Sequence, residues 1–79
     1  MTKKLADFLI QIDIYFGQKT AINYAVKDTN GKQVAGDYDS WRHSMPENKA
    51  KKIAKNWATV KKAALEAQGH KVKVQMICH

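Results

Sequence analysis

Residues 44–69 read SMPENKAKKIAKNWATVKKAALEAQG and separate three strand-like segments from a fourth. Ser44 and Glu47 have the spacing of a capping box, in which each side chain bonds the other residue's backbone N–H. Gly69 suits the left-handed conformation that often follows a helix. This pattern predicts a helix that begins near Glu47 and runs to about Gln68.

The predicted helix is amphipathic. Plotted at about 100° per residue, its alanine-rich stripe is centred near Trp57. A large aromatic side chain in a small domain is usually part of the core, so we expect Trp57 to pack on the sheet and not on a ligand. The stripe comprises Ala50, Ile53, Ala54, Trp57, Val60 and Ala64. The opposite, solvated side comprises Lys51, Lys52, Lys55 and Lys62, while Lys49 and Lys61 flank the stripe.

The segments around the helix alternate apolar and polar side chains, which is the period of a strand. Asn30 and Gly31 join two such segments and favour a type I′ hairpin, because both residues accept positive φ. Gly36 and its small neighbours indicate an edge strand or a bulge. The predicted strands are residues 8–16, 21–28, 32–40 and 70–78.

The element order β-β-β-α-β predicts an α+β fold. Three antiparallel strands form a meander, and a right-handed crossover through the helix places the last strand parallel to the first. The expected architecture is a four-stranded mixed sheet, order 3-2-1-4, with one amphipathic helix packed on one face. Residues 1–79 are long enough for one domain.

Several function classes are disfavoured by the sequence. No apolar run approaches the roughly 18–20 residues that a membrane span needs, so we expect no membrane partner. Residues 1–16 are basic and then apolar, but Gln11 and Asp13 interrupt the apolar run, which favours a mature N-terminus over a signal peptide. Cys78 is the single cysteine, which fits a reducing compartment such as the cytoplasm.

The formal net charge of +7 is unevenly distributed. Residues 1–40 are balanced, whereas residues 41–79 hold eight lysines and Arg42 against two glutamates. A basic face attracts nucleic acid, acidic proteins or anionic lipid. The alternative is that the lysines form a solvated face that keeps the domain in solution. Lysines contact phosphates without reading bases, so nucleic-acid binding through them is expected to be nonspecific and salt-sensitive.

The sheet face opposite the helix, here called the open face, is also a candidate surface. It is expected to present Tyr15 beside Lys71 and Lys73, where the tyrosine ring could stack on a base. Two alternatives are a solvated sheet face and a partner packed on it, including a homodimer.

The stretch INYAVKDTNGKQVAGDYDS, followed by a helix and by HKVKVQM, resembles the core of the ribonuclease H-like fold. Enzymes of that fold use several carboxylates that converge on paired metal ions. In the resemblance, Asp13 matches the carboxylate of the first strand, but the helix offers only Glu47 and the chain ends Met76-Ile77-Cys78-His79 without an acid. The resemblance therefore implies a truncated, inactive relative, similar in outline to antitoxins and other small binding modules.

No catalytic, metal or cofactor site is predicted. Asp37 and Asp39 are a weak calcium signal and are better interpreted as ion-pair partners of Arg42 and the basic helix. The remaining metal-ligand residue types lack the spacing of a zinc site or of a thiol catalyst. They are His43, His70, Cys78 and His79.

We therefore expect a small cytoplasmic protein that acts by binding, with nucleic acid or an acidic protein surface as its partner. The alternative is a phage or mobile-element accessory protein, anti-CRISPR-like or antitoxin-like, that inhibits a host protein in the host cytoplasm by direct contact. The candidate binding residues are Lys49, Lys51, Lys52, Lys55, Lys62, Lys71, Lys73, Tyr15 and Arg42.

Overall fold

The computed structural model describes residues 6–79. Residues 1–5, the first part of the predicted mature N-terminus, lie outside the described residues. The predicted α+β class, element order and sheet order β3-β2-β1-β4 are confirmed. The elements are β1 (Phe8–Tyr15), β2 (Thr20–Lys27), β3 (Gln33–Trp41), α1 (Glu47–Ala67) and β4 (Val72–Cys78).

The central strand β1 pairs antiparallel with β2 and parallel with β4. Ile10 lies between Val26 and Val74, so one face of the sheet collects the alternate β-branched side chains of three strands. Helix α1 covers this face over β1, β2 and β4. The buried core consists of Ile10, Ile12, Ile14, Ile22, Tyr24, Val26, Met45, Ala50, Ala54 and Ala58.

The start of α1 differs from the predicted capping box. Pro46 occupies the N-cap position and provides no side-chain cap hydrogen bond. The segment before the helix is instead anchored to the sheet: Met45 is buried, and its N–H donates to Thr20 Oγ1 at 3.0 Å. This long-range contact fixes the approach to the helix, so Ser44 does not serve as its cap.

The end of α1 matches the prediction. Gly69 has φ of +89°, its N–H donates to the Glu66 carbonyl at 2.9 Å, and the His70 N–H donates to the Leu65 carbonyl at 3.2 Å. These two bonds form a Schellman motif, which satisfies helix carbonyls that have no partner within the helix. The motif turns the chain directly into β4.

The hairpin between β2 and β3 is present, but the predicted type I′ turn is wrong. Gly31 has φ of +80°, whereas Asn30, like every other non-glycine residue in the described range, has negative φ. The Gly31 N–H donates to the Asp28 carbonyl at 3.0 Å. Asp28 Oδ1 accepts the N–H groups of Asn30 and Lys32 at 2.9 and 3.0 Å. The Asp28 side chain therefore stabilises a three-residue loop in which only the glycine adopts the left-handed backbone conformation.

The interpretation of β3 as an irregular edge strand is confirmed. Its register against β2 shifts between Val26 and Lys27, which leaves Val34 without a facing residue. A side chain at Gly36 would place its Cβ 2.9 Å from the Tyr24 carbonyl oxygen, closer than carbon and oxygen atoms pack. The missing side chain at Gly36 thus permits the close approach of β3 to β2.

The buried side of α1 is rotated from the predicted stripe. Ala50, Ala54 and Ala58 are its buried residues. Val60 is 68% exposed and Ala64 is also exposed, so their assignment to the buried stripe is wrong. Alanines let the helix backbone approach the isoleucine-rich face of the sheet closely, and this approach turns the larger side chains toward the flanks of the contact.

Trp57 lies on the flank of α1 that faces β2, and it is partly buried against the core. Its ring stacks on Tyr24 with centroids 4.4 Å apart and an interplanar angle of 24°. Lys61 Nζ lies 5.5 Å from the centre of the tryptophan ring, within cation–π distance. The prediction that Trp57 packs on the sheet is confirmed, but the side chain is only partly buried.

Candidate functional site

A groove runs between α1 and the edge strand β4 on the helix-covered face of the sheet. It consists of two adjoining hollows of about 210 and 450 Å³, both lined by Lys55 and Met76. We call it the α1–β4 groove. Its lining comprises an apolar part, Ala58, Val74 and Met76, a wall of Lys51, Lys52, Lys55 and Lys62, and the polar residues Asn48 and Thr59.

The rotation of α1 places the lysines in this groove. With the alanines buried and Trp57 toward β2, the other flank of the helix faces β4 and carries Lys55 and Lys62. Lys62 is partly buried against Val74 and Met76, so the prediction that it lies on the side opposite the core is wrong. Long lysine side chains commonly cover apolar surface with their methylene groups and keep the ammonium in water.

The wall of the groove is poorly neutralised. Lys51 Nζ lies 3.4 Å from Glu47 Oε1, as the sequence spacing predicted, but both side chains are exposed and the pair is weak. Within residues 6–79, Lys52, Lys55 and Lys62 form no ion pair, and no carboxylate lines either hollow. The groove therefore combines an apolar floor with several uncompensated positive charges.

Lys71 and Lys73 lie next to the groove but on the open face. The register pairs Lys73 with Leu9 at the start of β1, and Lys71 just precedes β4. The outer edge of β4 consequently has lysines on both of its sides.

Tyr15 does not lie beside these two lysines, and that prediction is wrong. Because β1 and β4 run parallel and in step, Tyr15 is at the far end of the strand pair, about 20 Å from Lys73. Its ring stacks on His79 with centroids 4.4 Å apart and an interplanar angle of 7°. His79 Nε2 in turn lies 3.0 Å from Asp13 Oδ1. One face of the tyrosine ring is therefore already occupied.

The remaining candidate binding residues lie outside the α1–β4 groove. Lys49 and Arg42 are exposed, but neither lines the hollows. On the open face, Tyr38 is 60% exposed. Packing of a second copy on this face stays a prediction.

The aspartates are distributed over both faces of the sheet. Asp37 and Asp39 lie on the side of β3 that faces the helix layer, whereas Asp13 lies on the open face. Asp39 Oδ2 accepts a hydrogen bond from the Tyr24 hydroxyl at 3.0 Å, and the expected ion pair with Arg42 is not found within the described range. Residues 6–79 contain no group of three or more His, Cys, Asp or Glu side chains placed to hold a metal ion.

The floor of the groove was missed by sequence reasoning. Alternation along the last predicted strand puts Val74 and Met76 on one face, and the predicted strand order makes that strand an edge. These two facts together could have indicated the groove. A helix rich in small alanine side chains leaves part of the apolar side of a neighbouring edge strand uncovered.

Comparisons with known proteins give no relative: no family model, curated protein or solved structure matches the chain. The ribonuclease H-like resemblance therefore stays a prediction. No helix within residues 6–79 is both long and apolar enough to cross a membrane.

Proposed function

We propose that this protein is a non-enzymatic binding protein that holds an anionic macromolecule, nucleic acid or an acidic protein surface, in the α1–β4 groove. The observation that carries the proposal is the wall of four lysines in a groove whose lining, as described, contains no carboxylate. Neighbouring like charges repel each other, and a bound polyanion would relieve that repulsion.

The chemistry of the lysines defines what kind of binding is expected. An ammonium group is a hydrated point charge on a flexible chain, so it attracts phosphates and carboxylates without fixing their geometry. Binding would therefore depend on charge more than on sequence, and it would weaken as salt is added. The exposed thiol of Cys78 supports a reducing compartment, so we place the protein in the cytoplasm, or in the host cytoplasm if it is phage-encoded.

The test is binding of a fluorescent single-stranded 20-nucleotide RNA and of polyglutamate at low salt. For contacts with three or four phosphates, we expect RNA affinity to fall about 20- to 50-fold between about 50 and 200 mM salt. Replacing Lys55 and Lys62 together by glutamate should lower affinity for either polyanion more than tenfold.

The matched control is Lys19→Glu with Lys32→Glu, which changes the net charge equally but at exposed lysines that line neither hollow. We expect this control to bind within about threefold of the wild type, because neither lysine belongs to the groove. Undiminished binding by the Lys55/Lys62 variant, with the fold intact by circular dichroism, would remove the α1–β4 groove as the site.

A second candidate function is inhibition of a host protein by direct binding, and the apolar floor of the groove favours it. Val74 is 38% exposed, and it lies with Met76 between the lysines. Apolar residues surrounded by charge, with methionine enriched, are typical of protein interfaces. A protein captured from host lysate after nuclease treatment, and lost in the Lys55/Lys62 variant, would support inhibition. Recovery of ribosomes or nucleic acid alone would contradict it.

A further inference from the structure

We propose that the partner is an acidic segment of another protein that binds in extended conformation as a fifth strand along the outer edge of β4. This inference rests on the proposed function and names the class of partner for the same groove. It depends on three features of β4: the direction of its backbone groups, the lysines on both of its sides, and the hollows beside it.

The backbone of β4 offers hydrogen-bonding groups away from β1. The Lys71 carbonyl accepts the N–H groups of Asp7 and Phe8 at 2.8 and 3.2 Å, and the His79 N–H donates to the Ile14 carbonyl at 2.8 Å. Odd-numbered positions of this segment therefore face β1. Because the direction of backbone groups alternates along a strand, the N–H and C=O groups of Val74 and Met76 point outward. Within residues 6–79, no strand pairs with that side.

An added strand would meet positive charge on both of its faces. Its side chains would alternate between the groove side, near Lys55 and Lys62, and the open-face side, near Lys71 and Lys73. Acidic side chains would thus face lysines whether they occupied the odd or the even positions of the added strand. This charge complementarity identifies the chemistry of the occupant.

The two hollows lie along the helix-facing side of β4, where alternate side chains of an added strand would lie. They adjoin each other through Lys55 and Met76. Volumes of about 210 and 450 Å³ exceed what a single side chain needs, so apolar groups of the added strand can contact Val74 and Met76. Main-chain bonds would supply affinity, while the hollows and lysines would supply selectivity.

Nucleic acid fits this edge less well than a peptide. The lining as described contains no aromatic ring on which a base could stack. A nucleic-acid backbone also lacks the amide N–H donors that would continue the ladder, so the outward carbonyl groups would remain unpaired.

The other edge of the sheet is unsuited to the same partner. The bulge at Val34 interrupts β3, and Asp37 and Asp39 line its helix-facing side. A bulged edge pairs poorly with further strands, and these carboxylates would repel an acidic segment. The two edges of the sheet therefore differ, and the outer edge of β4 is better suited than that of β3 to pair with an added acidic strand.

The experiment titrates the full chain with an acetylated, amidated nonapeptide that alternates aspartate and valine, Asp at both ends. Three comparison ligands are used: the same peptide N-methylated at every residue, so that neither of its edges offers an N–H group, an alternating lysine–valine peptide, and a single-stranded 20-nucleotide RNA. Affinity is measured by fluorescence anisotropy, and amide hydrogen exchange by NMR. The Lys55→Glu/Lys62→Glu and Lys71→Glu/Lys73→Glu variants are compared with Lys19→Glu/Lys32→Glu.

We expect the acidic peptide to bind and the N-methylated form to bind at least tenfold more weakly, because it cannot extend the ladder. Bound peptide should slow exchange of the Val74 and Met76 amides at least tenfold and leave Lys73 and Gln75, which already face β1, little changed. Each groove or edge variant should lose more than tenfold in affinity, and the control variant less than threefold.

Equal binding of both acidic peptides without amide protection would overturn the strand proposal, yet leave charge-driven binding in the groove intact. If RNA bound and the acidic peptide did not, and if RNA binding were lost in the Lys55/Lys62 variant, the strand proposal would likewise be overturned and charge-driven binding in the groove would remain. A third outcome is slow exchange of the Val74 amide in the protein without peptide, together with a molecular mass of the protein that rises with its concentration. This outcome would mean that a second copy pairs with β4, and it would also overturn the strand proposal. If no polyanion bound, the proposed function would fall together with the inference.

Discussion

Tyr24 connects three elements of the fold. It lies on β2, its ring stacks on Trp57 of α1, and its hydroxyl donates to Asp39 of β3. The side chain is 1% exposed. Burial, followed by the hydrogen bond to Asp39 and the charges of Asp39 and Asp37, raises the pKa of the Tyr24 hydroxyl above its ordinary value. Alternation placed this residue on the apolar face, but its bond to β3 depends on a cross-strand register that no local pattern contains.

We expect Tyr24 to make the fold sensitive to alkaline pH. A tyrosine whose folded-state pKa is raised stabilises the protein fully below the unfolded-state pKa of about 10, and this contribution is lost as pH rises further. The free energy of unfolding should fall above pH 10, with a slope from this one proton of at most about 1.4 kcal/mol per pH unit. Urea titrations between pH 8 and 11.5 measure the slope.

The control is Tyr24→Phe, which keeps the stacked ring and removes the titrating group. We expect it to lose about 0.5–1.5 kcal/mol at pH 8 and to have a shallower slope above pH 10. Parallel curves for the two proteins above pH 10 would show that other groups cause the alkaline loss.

Helix α1 shows how far periodicity alone can predict an element. Its approximate bounds, its amphipathic character and the left-handed glycine after its end were predicted from sequence, because spacing and one glycine carry that information. The rotation of its buried side was not, since it depends on how closely Ala54 and Ala58 approach the isoleucines of the sheet. The helix begins at Glu47 as predicted, but the Ser44–Glu47 capping box does not form. The segment before the helix is held instead by the bond from Met45 to Thr20, which links residues 25 positions apart and leaves no local pattern.

The rotation of α1 makes a testable distinction between two neighbouring side chains. Trp57→Ala should cost about 2–3 kcal/mol, less than the roughly 3–5 kcal/mol of a fully buried aromatic residue, because the Trp57 side chain is only partly buried. Val60→Ala should change stability by less than about 0.5 kcal/mol, as for an ordinary surface position. Chemical denaturation of both variants measures the difference, and a large cost at Val60 would restore the originally predicted stripe.

For the whole molecule, the sequence sufficed to predict the strand order, the parallel pairing of β1 with β4 and the placement of the helix. These features follow from element order and from the handedness of crossover connections. The α1–β4 groove could not be predicted, because it exists only where the flank of one element meets the side of another. The sequence assigned Lys62 to the solvated side of the helix, whereas the structure places it in the groove together with Met76.

The unbalanced charge should make stability depend on salt. With a net charge of +7, and with Lys52, Lys55 and Lys62 of the wall forming no ion pair within the described residues, repulsion should outweigh attraction in the folded state. Raising NaCl from about 0.01 to 0.1 M shortens the Debye length from about 30 to 10 Å. We expect Tm to rise, by about 4–8 °C if the relieved repulsion is about 1 kcal/mol.

The Lys55→Glu/Lys62→Glu variant should show a smaller rise in Tm than Lys19→Glu/Lys32→Glu, although both change the net charge equally. The reason is that Lys55 and Lys62 belong to the crowded wall, whereas the control lysines are isolated in turns. A Tm that decreased with added salt would indicate that attractive pairs dominate.

The pairing of the first strand with the last has a consequence for synthesis on the ribosome. The contact between Lys71 and Asp7 spans 64 positions of sequence. Until β4 has left the exit tunnel, β1 is itself an edge strand, and part of its isoleucine row has no cover. The nascent chain therefore passes through a stage in which this isoleucine-rich strand has an unpaired edge, a state that favours aggregation.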